Sequence, residues 1–316
     1  MYRGHHLNSY LYTLKTRENM EIFRGQNLIE FTERFKTDED CLMYLSKIKW
    51  ANGYKCRKCG HTKYQERKNH SRTCNLCSDT ESPTANTLFH KVKFGVRKAF
   101  FMCFEMATTT KSLSASQMSV RYGVRESTAR LFMHKVREAM KSSEKYPMDG
   151  TVHVDEFVVG GKEDGKPGRS YDSRKKKSAC AVELTEEGKV KRFYIQKIND
   201  FSSKSLRAIF EKHIAVKANV TTDEWKGYRP IMKEFNITQI PSNHGNNFKA
   251  LHTMIHQVKS WLRTTYSWVS VKNIDRYFNE FSYRINRSQS KETIFNNLIR
   301  RMVTTKNITH AQLICS

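Results

Sequence analysis

The sequence predicts a multidomain α+β protein, in which a small cysteine-rich module and a helical region precede an α/β domain with a mixed sheet. Three observations predict this class. Two C-x2-C pairs lie between residues 56 and 77, apolar residues recur at helical spacing from 88 to 145, and strand-like alternation begins at residue 152. A Tyr-Pro-Met-Asp-Gly break at 146–150 separates the helical part from the strand-rich part, so a domain boundary is expected there.

The chain is strongly basic. It carries 56 Lys and Arg residues against 31 Asp and Glu residues, a net charge of +25. Such an excess, spread along the whole chain, predicts a polyanionic partner. Nucleic acid is the commonest one, because each phosphate that is neutralised releases a condensed counterion. A basic protein without such a partner is the alternative interpretation.

The sequence gives no sign of a membrane or export segment. No stretch approaches the roughly 18 consecutive apolar residues of a membrane helix, and the N-terminus lacks the apolar core of a signal peptide. We therefore expect a cytoplasmic protein with no membrane partner. In that compartment cysteines stay reduced, and the scattered ones are expected to be small core residues: Cys41, Cys103, Cys180 and Cys315.

The paired cysteines predict a structural zinc site, a zinc ribbon. Four thiolates in two tight turns form a closed tetrahedral set, and so small a segment needs the ion to fold. Two disulfides or a redox pair are the alternative, which the cytoplasmic context disfavours. Gly60 suits the turn, and the neighbouring Arg57 and Lys58 are expected to contact DNA phosphates. The four ligands are Cys56, Cys59, Cys74 and Cys77.

Two stretches of the helical part carry specific signals. Residues 27–48 are predicted to be helical, with a capping box from Thr37 to Asp40. Residues 114–131 predict a helix-turn-helix, with the turn at Gly123. The second helix would present its first residues to DNA bases; an ordinary hairpin used only for packing is the alternative. The residues concerned are Ser127, Thr128 and Arg130.

The order of elements after residue 150 predicts an RNase H-like α/β sheet, with three strands first and then alternating helices and strands. The predicted strands are 152–158, 178–184, 190–198, 219–222 and 236–240, and the predicted helices are 203–215, 227–235, 249–264, 271–286 and 291–303.

Two acids stand out in this part of the chain. Asp155 lies in the middle of an apolar strand, where a lone acid is costly unless it is paired or binds a cation. Asp223 lies at the end of a later short strand, and strand ends are where ligands gather in an open sheet. Two carboxylates on neighbouring strands can hold divalent cations that act on a phosphodiester. Roles in capping or in a salt bridge are the alternative for both.

A third ligand is expected from the helix at 249–264. One face of this helix carries a polar stripe beside its apolar face, which places the stripe at the edge of the core near the two acids. The stripe consists of His252, His256, Lys259 and Arg263. His252 is the first choice for the ligand, with His256 and the later Glu280 as alternatives; each histidine can equally be structural.

Basic residues flank these elements and are expected to contact DNA. The loop at 160–177 follows the first acidic strand and carries seven Lys or Arg residues against three acids. It could clamp DNA, above all through Lys175, Lys176 and Lys177. His244 and Lys249 precede the helix with the polar stripe and are expected near the scissile phosphate; Arg263 extends that surface.

Several motifs in order resemble one family, the bacterial insertion-sequence transposases of the ISXO-like group. They are the cysteine ribbon with Phe35, Cys41, Leu45 and Trp50 before it, then VDEFVVGGK (154–162), TDEWKGY (222–228), SNHGNNFK (242–249), LHTMIHQVKSWLRTTY (251–266) and RYFNEFSYRINR (276–287). The resemblance implies that Asp155 and Asp223 are the first two acids of a DDE triad. It implies that Lys259 is the basic residue seven positions after the third member, which is then His252, where most DDE enzymes carry Glu.

The resemblance also implies the activity. The protein would bind terminal inverted repeats and target DNA, and catalyse metal-dependent strand cleavage and strand transfer with Mg²⁺ or Mn²⁺ beside a structural Zn²⁺. A homodimer or higher oligomer on nucleoid DNA in the bacterial cytoplasm is expected by analogy. The alternatives are a catalytically inactive zinc-ribbon DNA-binding regulator and a nuclease that cuts without joining. The expected divisions are an N-terminal helical segment (1–49), the zinc ribbon (50–83), the helix-turn-helix-like region (84–147), the catalytic domain (148–303) and a C-terminal tail (304–316).

Overall fold

A computed structural model describes residues 22–161, 163 and 174–315, and residues 314 and 315 are described by their backbone alone. Its first part consists of helices and a small three-stranded sheet: α1 (Leu28–Arg34), α2 (Asp38–Lys49), β1 (Tyr64–Glu66), β2 (Arg72–Cys74), β3 (Thr80–Glu81), α3 (Val96–Thr108), α4 (Ala115–Tyr122) and α5 (Glu126–Met140). Within these described ranges, no helix is both long and apolar enough to cross a membrane.

The second part is the expected mixed α/β domain. Its elements are β4 (Thr151–Val159), β5 (Lys176–Leu184), β6 (Val190–Lys197), α6 (Ser203–His213), β7 (Asn219–Thr222), β8 (Ile237–Gln239), α7 (Lys249–Thr265) and α8 (Ile274–Ile285). Two further helices follow this domain, α9 (Ile294–Thr304) and α10 (His310–Cys315). The sheet order is β6-β5-β4-β7-β8. Strands β4, β5 and β6 are antiparallel neighbours, whereas β4, β7 and β8 run parallel. The predicted fold class is therefore confirmed.

Strand alternation gives the large sheet two apolar faces. One face, with Val152 and Val154, packs against Leu206 and Phe210 of α6. The opposite face, with Phe157, packs against the apolar sides of α7 and α8. The central strand β4 is therefore covered on both sides. Strand β7 is shorter and ends beside the middle of β4, after the pair Val154 and Thr222.

The helix predicted at 27–48 is divided in two. Thr37 begins α2 as its N-cap: its hydroxyl accepts from the Asp40 amide at 3.2 Å, and the Asp40 carboxylate accepts from the Thr37 amide at 2.8 Å. The capping box was predicted, but the helix before it was expected to continue through it. An N-cap residue has extended backbone, so α1 must end before Thr37. The break allows Phe31 and Phe35 of the first segment to enter the core, where both are fully buried.

The prediction of a helix at 227–235 is also wrong. The chain forms two short 3-10 turns there instead, Lys226–Tyr228 and Ile231–Lys233, separated by Pro230. Proline lacks the amide donor that a continuous α-helix needs and its ring crowds the preceding turn, which explains the interruption.

The last long helix belongs to the helical core rather than to the sheet. Helix α9, expected at the end of a catalytic domain at 148–303, buries Phe295 against Phe31 and Phe104 of the N-terminal helices. Within the expected C-terminal tail (304–316), residues His310–Cys315 form α10. Leu313 is 3% exposed, and its carbonyl accepts from Arg276 at 2.9 Å. The chain thus returns to the helical region after completing the sheet domain.

Acid is expected to weaken the fold through His213. Its ring lies flat against Tyr194 with centroids 4.2 Å apart, and burial lowers its pKa to about 4. An unfolded histidine titrates near 6.5, so the unfolded chain binds more protons and the free energy of unfolding falls as pH drops from about 6.5 to about 4. We expect His213→Phe to remove about 2–3 kcal/mol of this dependence. Urea unfolding of both proteins at several pH values measures the free energy of unfolding. An equal dependence on pH in the two proteins would contradict the role given to His213.

Candidate functional site

The four paired cysteines converge as predicted. The Sγ atoms of Cys56 and Cys77 are 3.6 Å apart and those of Cys59 and Cys74 are 3.5 Å apart, and one ligand atom from each of the four lies within 4.8 Å of the others. A disulfide needs about 2.05 Å. A tetrahedral zinc with bonds of about 2.3 Å needs sulfur atoms about 3.8 Å apart. The donor set therefore fits a metal ion.

The ribbon is anchored to the helical region by buried charges. Lys49 at the end of α2 donates to Glu81 at 2.9 Å, and the Arg72 guanidinium lies over the rings of Trp50 and Tyr64 at 4.4 and 4.0 Å. The two residues expected to contact DNA, Arg57 and Lys58, are exposed on the first knuckle.

The structure forms two helices where the helix-turn-helix was predicted. Helices α4 and α5 are joined through Gly123, whose φ of 57° and ψ of 49° are left-handed and favour glycine. At the start of α5, Ser127 and Arg130 are exposed and Thr128 is half-buried, while Ala129 packs inward. Ser127 and Arg130 are thus accessible, and Thr128 is accessible in part.

The two predicted acids meet where β7 ends beside the middle of β4. These strands are parallel neighbours, with Val154 opposite Thr222, so Asp155 and Asp223 lie on adjacent strands one residue further along. Asp155 accepts from the Glu156 amide at 2.7 Å, and Asp223 accepts from the Trp225 amide at 3.1 Å.

A third acid, Glu156, lies at this position and was not predicted from the sequence. One carboxylate oxygen each of Asp155, Glu156 and Asp223 lies within 4.8 Å of the others, a separation that a divalent cation can bridge. Neighbouring residues of a strand normally face opposite sides of the sheet, and the sequence alone gave no reason to place Glu156 with Asp155. Its carboxylate also accepts from the buried Tyr228 hydroxyl at 2.7 Å. The sequence signal that could have indicated Glu156 is that it directly follows Asp155 in the same apolar strand.

His252 lies beside the acids on α7. Its Nε2 is 3.2 Å from Asp155 Oδ2, and this hydrogen bond raises the pKa of His252 against the opposing effect of burial. The imidazole is not among the three groups that converge within 4.8 Å. The structure therefore brings His252 into contact with the first acid, while its role as a metal ligand remains a prediction.

Gly245 makes room for this imidazole. A Cβ at residue 245 would lie 2.4 Å from His252 Nδ1, and the glycine has a φ of 88°. We expect Gly245→Ala to displace the ring and lower activity in a DNA-strand cleavage assay about as far as His252→Ala does. The matched control is Gly188→Ala, at a left-handed φ of 73° with no atom within 4 Å. Equal losses in the two glycine variants would attribute the effect to backbone strain instead.

The acids, His252, His256 and Lys259 line an open cleft of about 480 Å³. His256 is exposed at its rim. The Lys259 ammonium lies 5.3 Å from the centroid of the Phe157 ring, and burial lowers its pKa. The predicted polar stripe of α7 thus faces the acids, with Arg263 exposed further along the helix.

Glu280, considered above as an alternative ligand, is held elsewhere. It is fully buried, and its carboxylate accepts from Arg137 Nε at 2.7 Å and from the Ser112 hydroxyl. Both partners belong to the helical region. No local signal in the sequence around residue 280 predicts this pairing across 143 residues.

The remaining basic residues predicted to contact DNA lie on β5 and before α7, next to the elements that carry the cleft residues. Lys176 and Lys177 begin β5, where they pair with Val159 and Val158 of β4. Both therefore lie next to the last residues of the strand that carries Asp155. Lys175 precedes them, and most of the loop at 160–177 lies outside the described residues. His244 and Lys249 are exposed at the start of α7.

Comparisons with known proteins identify two domains. A family model described as an ISXO2-like transposase domain matches residues 147–286, and one described as a transposase zinc-ribbon domain matches residues 36–80. No match was found among curated proteins.

Similar solved structures were also found. They include "Crystal structure of a pre-cleavage Mos1 transpososome" (11% identity, 64% of this chain and 77% of that chain, TM-score 0.24). Two others are "Mos1 transposase paired-end complex with left transposon end" (12%, 66% and 80%, 0.18) and "Crystal structure of the Mos1 Strand Transfer Complex" (11%, 67% and 79%, 0.21).

Proposed function

We propose that this chain cuts and joins the DNA ends of an insertion sequence. It joins a transposase zinc ribbon to an ISXO2-like transposase domain and so belongs to the ISXO-like transposases. It would bind terminal inverted repeats, cleave a phosphodiester at the element's end, and transfer the freed 3′-hydroxyl to target DNA. The setting that follows is the bacterial nucleoid, with a homodimer or higher oligomer holding two ends.

The observation that carries this proposal is the convergence of Asp155 and Asp223 at one edge of the sheet. Carboxylate oxygens are the donors that Mg²⁺ and Mn²⁺ prefer, and the spacing of three acids fits such an ion. A bound divalent cation would activate the attacking oxygen and stabilise the leaving one. The proposed ligands are Asp155, Asp223 and His252; Glu156 is a further carboxylate within reach.

The other side chains of the cleft support positioning of a phosphate. The Lys259 ammonium, on the same side of α7 as His252, supplies positive charge beside the acids, and His256 adds a donor at the rim. His244, Lys249 and Arg263 would hold the backbone of the same DNA along α7, and Lys175, Lys176 and Lys177 would hold it from the side of β5.

Separate surfaces would recognise the repeat. Ser127, Thr128 and Arg130 at the start of α5 are proposed to contact base edges, because a helix-turn-helix places that helix end in the major groove. Arg57 and Lys58 on the ribbon, held by structural Zn²⁺, would contact phosphates. We propose the functional divisions 50–83, 84–147 and 148–303 for ribbon, reader and catalytic domain, with α9 structurally part of the reader.

A strand-transfer assay tests this function. Labelled DNA carrying the short inverted repeats that flank the gene is incubated with protein, divalent cation and target plasmid. Joined product supports a transposase, whereas cut ends without joining indicate a nuclease. Binding without cutting indicates the inactive regulator, which the imidazole in place of a third carboxylate on α7 would favour.

The metal preference tests the role of His252. Imidazole nitrogen is a poorer ligand for Mg²⁺ than for Mn²⁺, so we expect faster cleavage in Mn²⁺. His252→Glu, which restores an oxygen donor, is expected to move the preference toward Mg²⁺. Initial cleavage rates in matched concentrations of both ions measure the ratio. Equal or greater rates in Mg²⁺ for the unmodified protein, with His252→Ala unaffected, would remove His252 from the site.

A further inference from the structure

The helical region and the sheet domain meet in a buried polar junction, defined here as Ser112, Arg137, Trp261, Thr265 and Glu280. Arg137 lies on α5 and is 1% exposed, while Glu280 lies on α8 and is 0% exposed. Arg137 Nε donates to one oxygen of the Glu280 carboxylate at 2.7 Å, and the Ser112 hydroxyl donates to the other. Both oxygens of this carboxylate are therefore tied to the helical region.

The same junction reaches the helix that carries the candidate catalytic side chains. Trp261 Nε1 and Thr265 Oγ1 both donate to the carbonyl of Lys111, at 3.0 and 2.9 Å. Both donors lie on α7, within two turns of Lys259. The segment that precedes α4 is thus bonded directly to the helix that lines the cleft.

Two features argue that this contact has a geometric role. Ser112 has a φ of 61°, a left-handed conformation that a non-glycine residue keeps only where its surroundings hold it. A buried ion pair is also rarely the most stable way to fill an interface, because desolvation of both charges offsets their attraction. What such a pair supplies over apolar packing is one defined orientation.

From these contacts we propose that the junction fixes the distance between α5, the helix that reads DNA, and α7, the helix that lines the cleft, and so determines which phosphodiester is cut. The inference rests on the proposed function and assigns positioning roles to Arg137 and Glu280, neither of which lines the cleft. A DNA end bound at α5 would then present one phosphate to Asp155 and Asp223, because a tightly packed interior transmits position instead of deforming continuously.

The test uses the double variant Arg137→Met with Glu280→Leu. Replacing both partners with apolar residues of similar volume removes the ion pair without leaving a buried charge unpaired, so the protein is expected to fold. We expect its thermal midpoint within about 5 °C of the unmodified protein. The control is Arg207→Met with Glu234→Leu, which makes the same two replacements at a partly exposed ion pair of the sheet domain, away from the junction.

Cleavage of a spacer series is the first readout. Two base pairs, about 7 Å of helix, are inserted between the repeat and the scissile bond. We expect the unmodified protein and the control to lose at least about ten-fold in rate at the original bond. The junction variant is expected to be much less sensitive and to cut several neighbouring bonds. The same steep dependence and single cut in the junction variant would overturn the proposal.

A distance measurement separates failure of this inference from failure of the proposed function. Spin labels carried by non-cysteine side chains at residues 127 and 257, both exposed, report the separation of α5 and α7 without DNA or cleavage. A narrow distribution in the unmodified protein that broadens in the double variant supports the junction's role. An unchanged narrow distribution overturns it, whether or not the protein cuts DNA.

Discussion

Replacing Asp223 with Asn is expected to reduce DNA-strand cleavage by about a thousand-fold while DNA binding stays intact. The substitution removes one negative charge and one hard oxygen from the group formed with Asp155 and Glu156, which weakens any divalent cation held there. The fold should survive, because the oxygen of Asn can still accept from the Trp225 amide, as the aspartate does at 3.1 Å. Asp155→Asn is expected to behave in the same way.

Glu224→Gln is the control for this prediction. Glu224 is the neighbouring acid, it is exposed, and its loss changes the net charge by the same amount near the same cleft. Single-turnover cleavage of an end-labelled repeat gives the rate, and fluorescence anisotropy gives the affinity for the same DNA. A loss in Asp223→Asn that is smaller than ten-fold, or that equals the loss in Glu224→Gln, would exclude Asp223 from the reaction.

The sequence allowed this pair of acids to be predicted because both are governed by local pattern. Asp155 interrupts an apolar strand, and Asp223 directly follows one. The parallel pairing of these two strands places the acids side by side once the sheet forms. The polar stripe of α7 was predictable for a related reason, since residues three and four apart share one side of a helix. In each case the information lies within a few residues of the position concerned.

Other features were beyond the reach of pattern because they depend on contacts between distant segments. Phe295 on α9 has an ordinary helical context, yet it packs against Phe31, far earlier in the chain. Glu280 is paired with Arg137 for the same kind of reason. Glu156 shows a third limit: the alternation of a strand assigns its Cβ to the far face, but the length of the side chain lets its carboxylate approach Asp155 and Asp223.

Loss of one ribbon cysteine is expected to unfold the ribbon and leave the helical core folded. Cys74 is 1% exposed and its Sγ lies 3.5 Å from that of Cys59, so Cys74→Ala removes one of four ligands from a closed set. Structural zinc contributes about 10–16 kcal/mol to such small modules, far more than the few apolar contacts around Trp50 and Tyr54 can replace. The helical core has its own extensive apolar cluster and does not depend on the ion.

Zinc content and hydrogen exchange check this prediction. The unmodified protein is expected to hold one equivalent of zinc and to protect the amides of 56–81, and Cys74→Ala to lose both while 96–140 stays protected. Cys41→Ala is the control, because it removes a buried thiol from the helical core instead. One equivalent of zinc in Cys74→Ala would contradict the four-cysteine site.

Chelation should then separate the two kinds of metal that the chain is proposed to bind. The carboxylates at the cleft lie beside open solvent and would release and regain Mg²⁺ or Mn²⁺ readily, so cleavage lost to mild chelation should return when the ion is restored. Four thiolates in a closed set release zinc slowly. Once it is removed, adding Mg²⁺ cannot refold the ribbon, because that ion favours oxygen over sulfur. After removal of the zinc, we therefore expect Mg²⁺ alone to leave cleavage lost and added zinc to restore it. That result would identify the ribbon as part of DNA recognition.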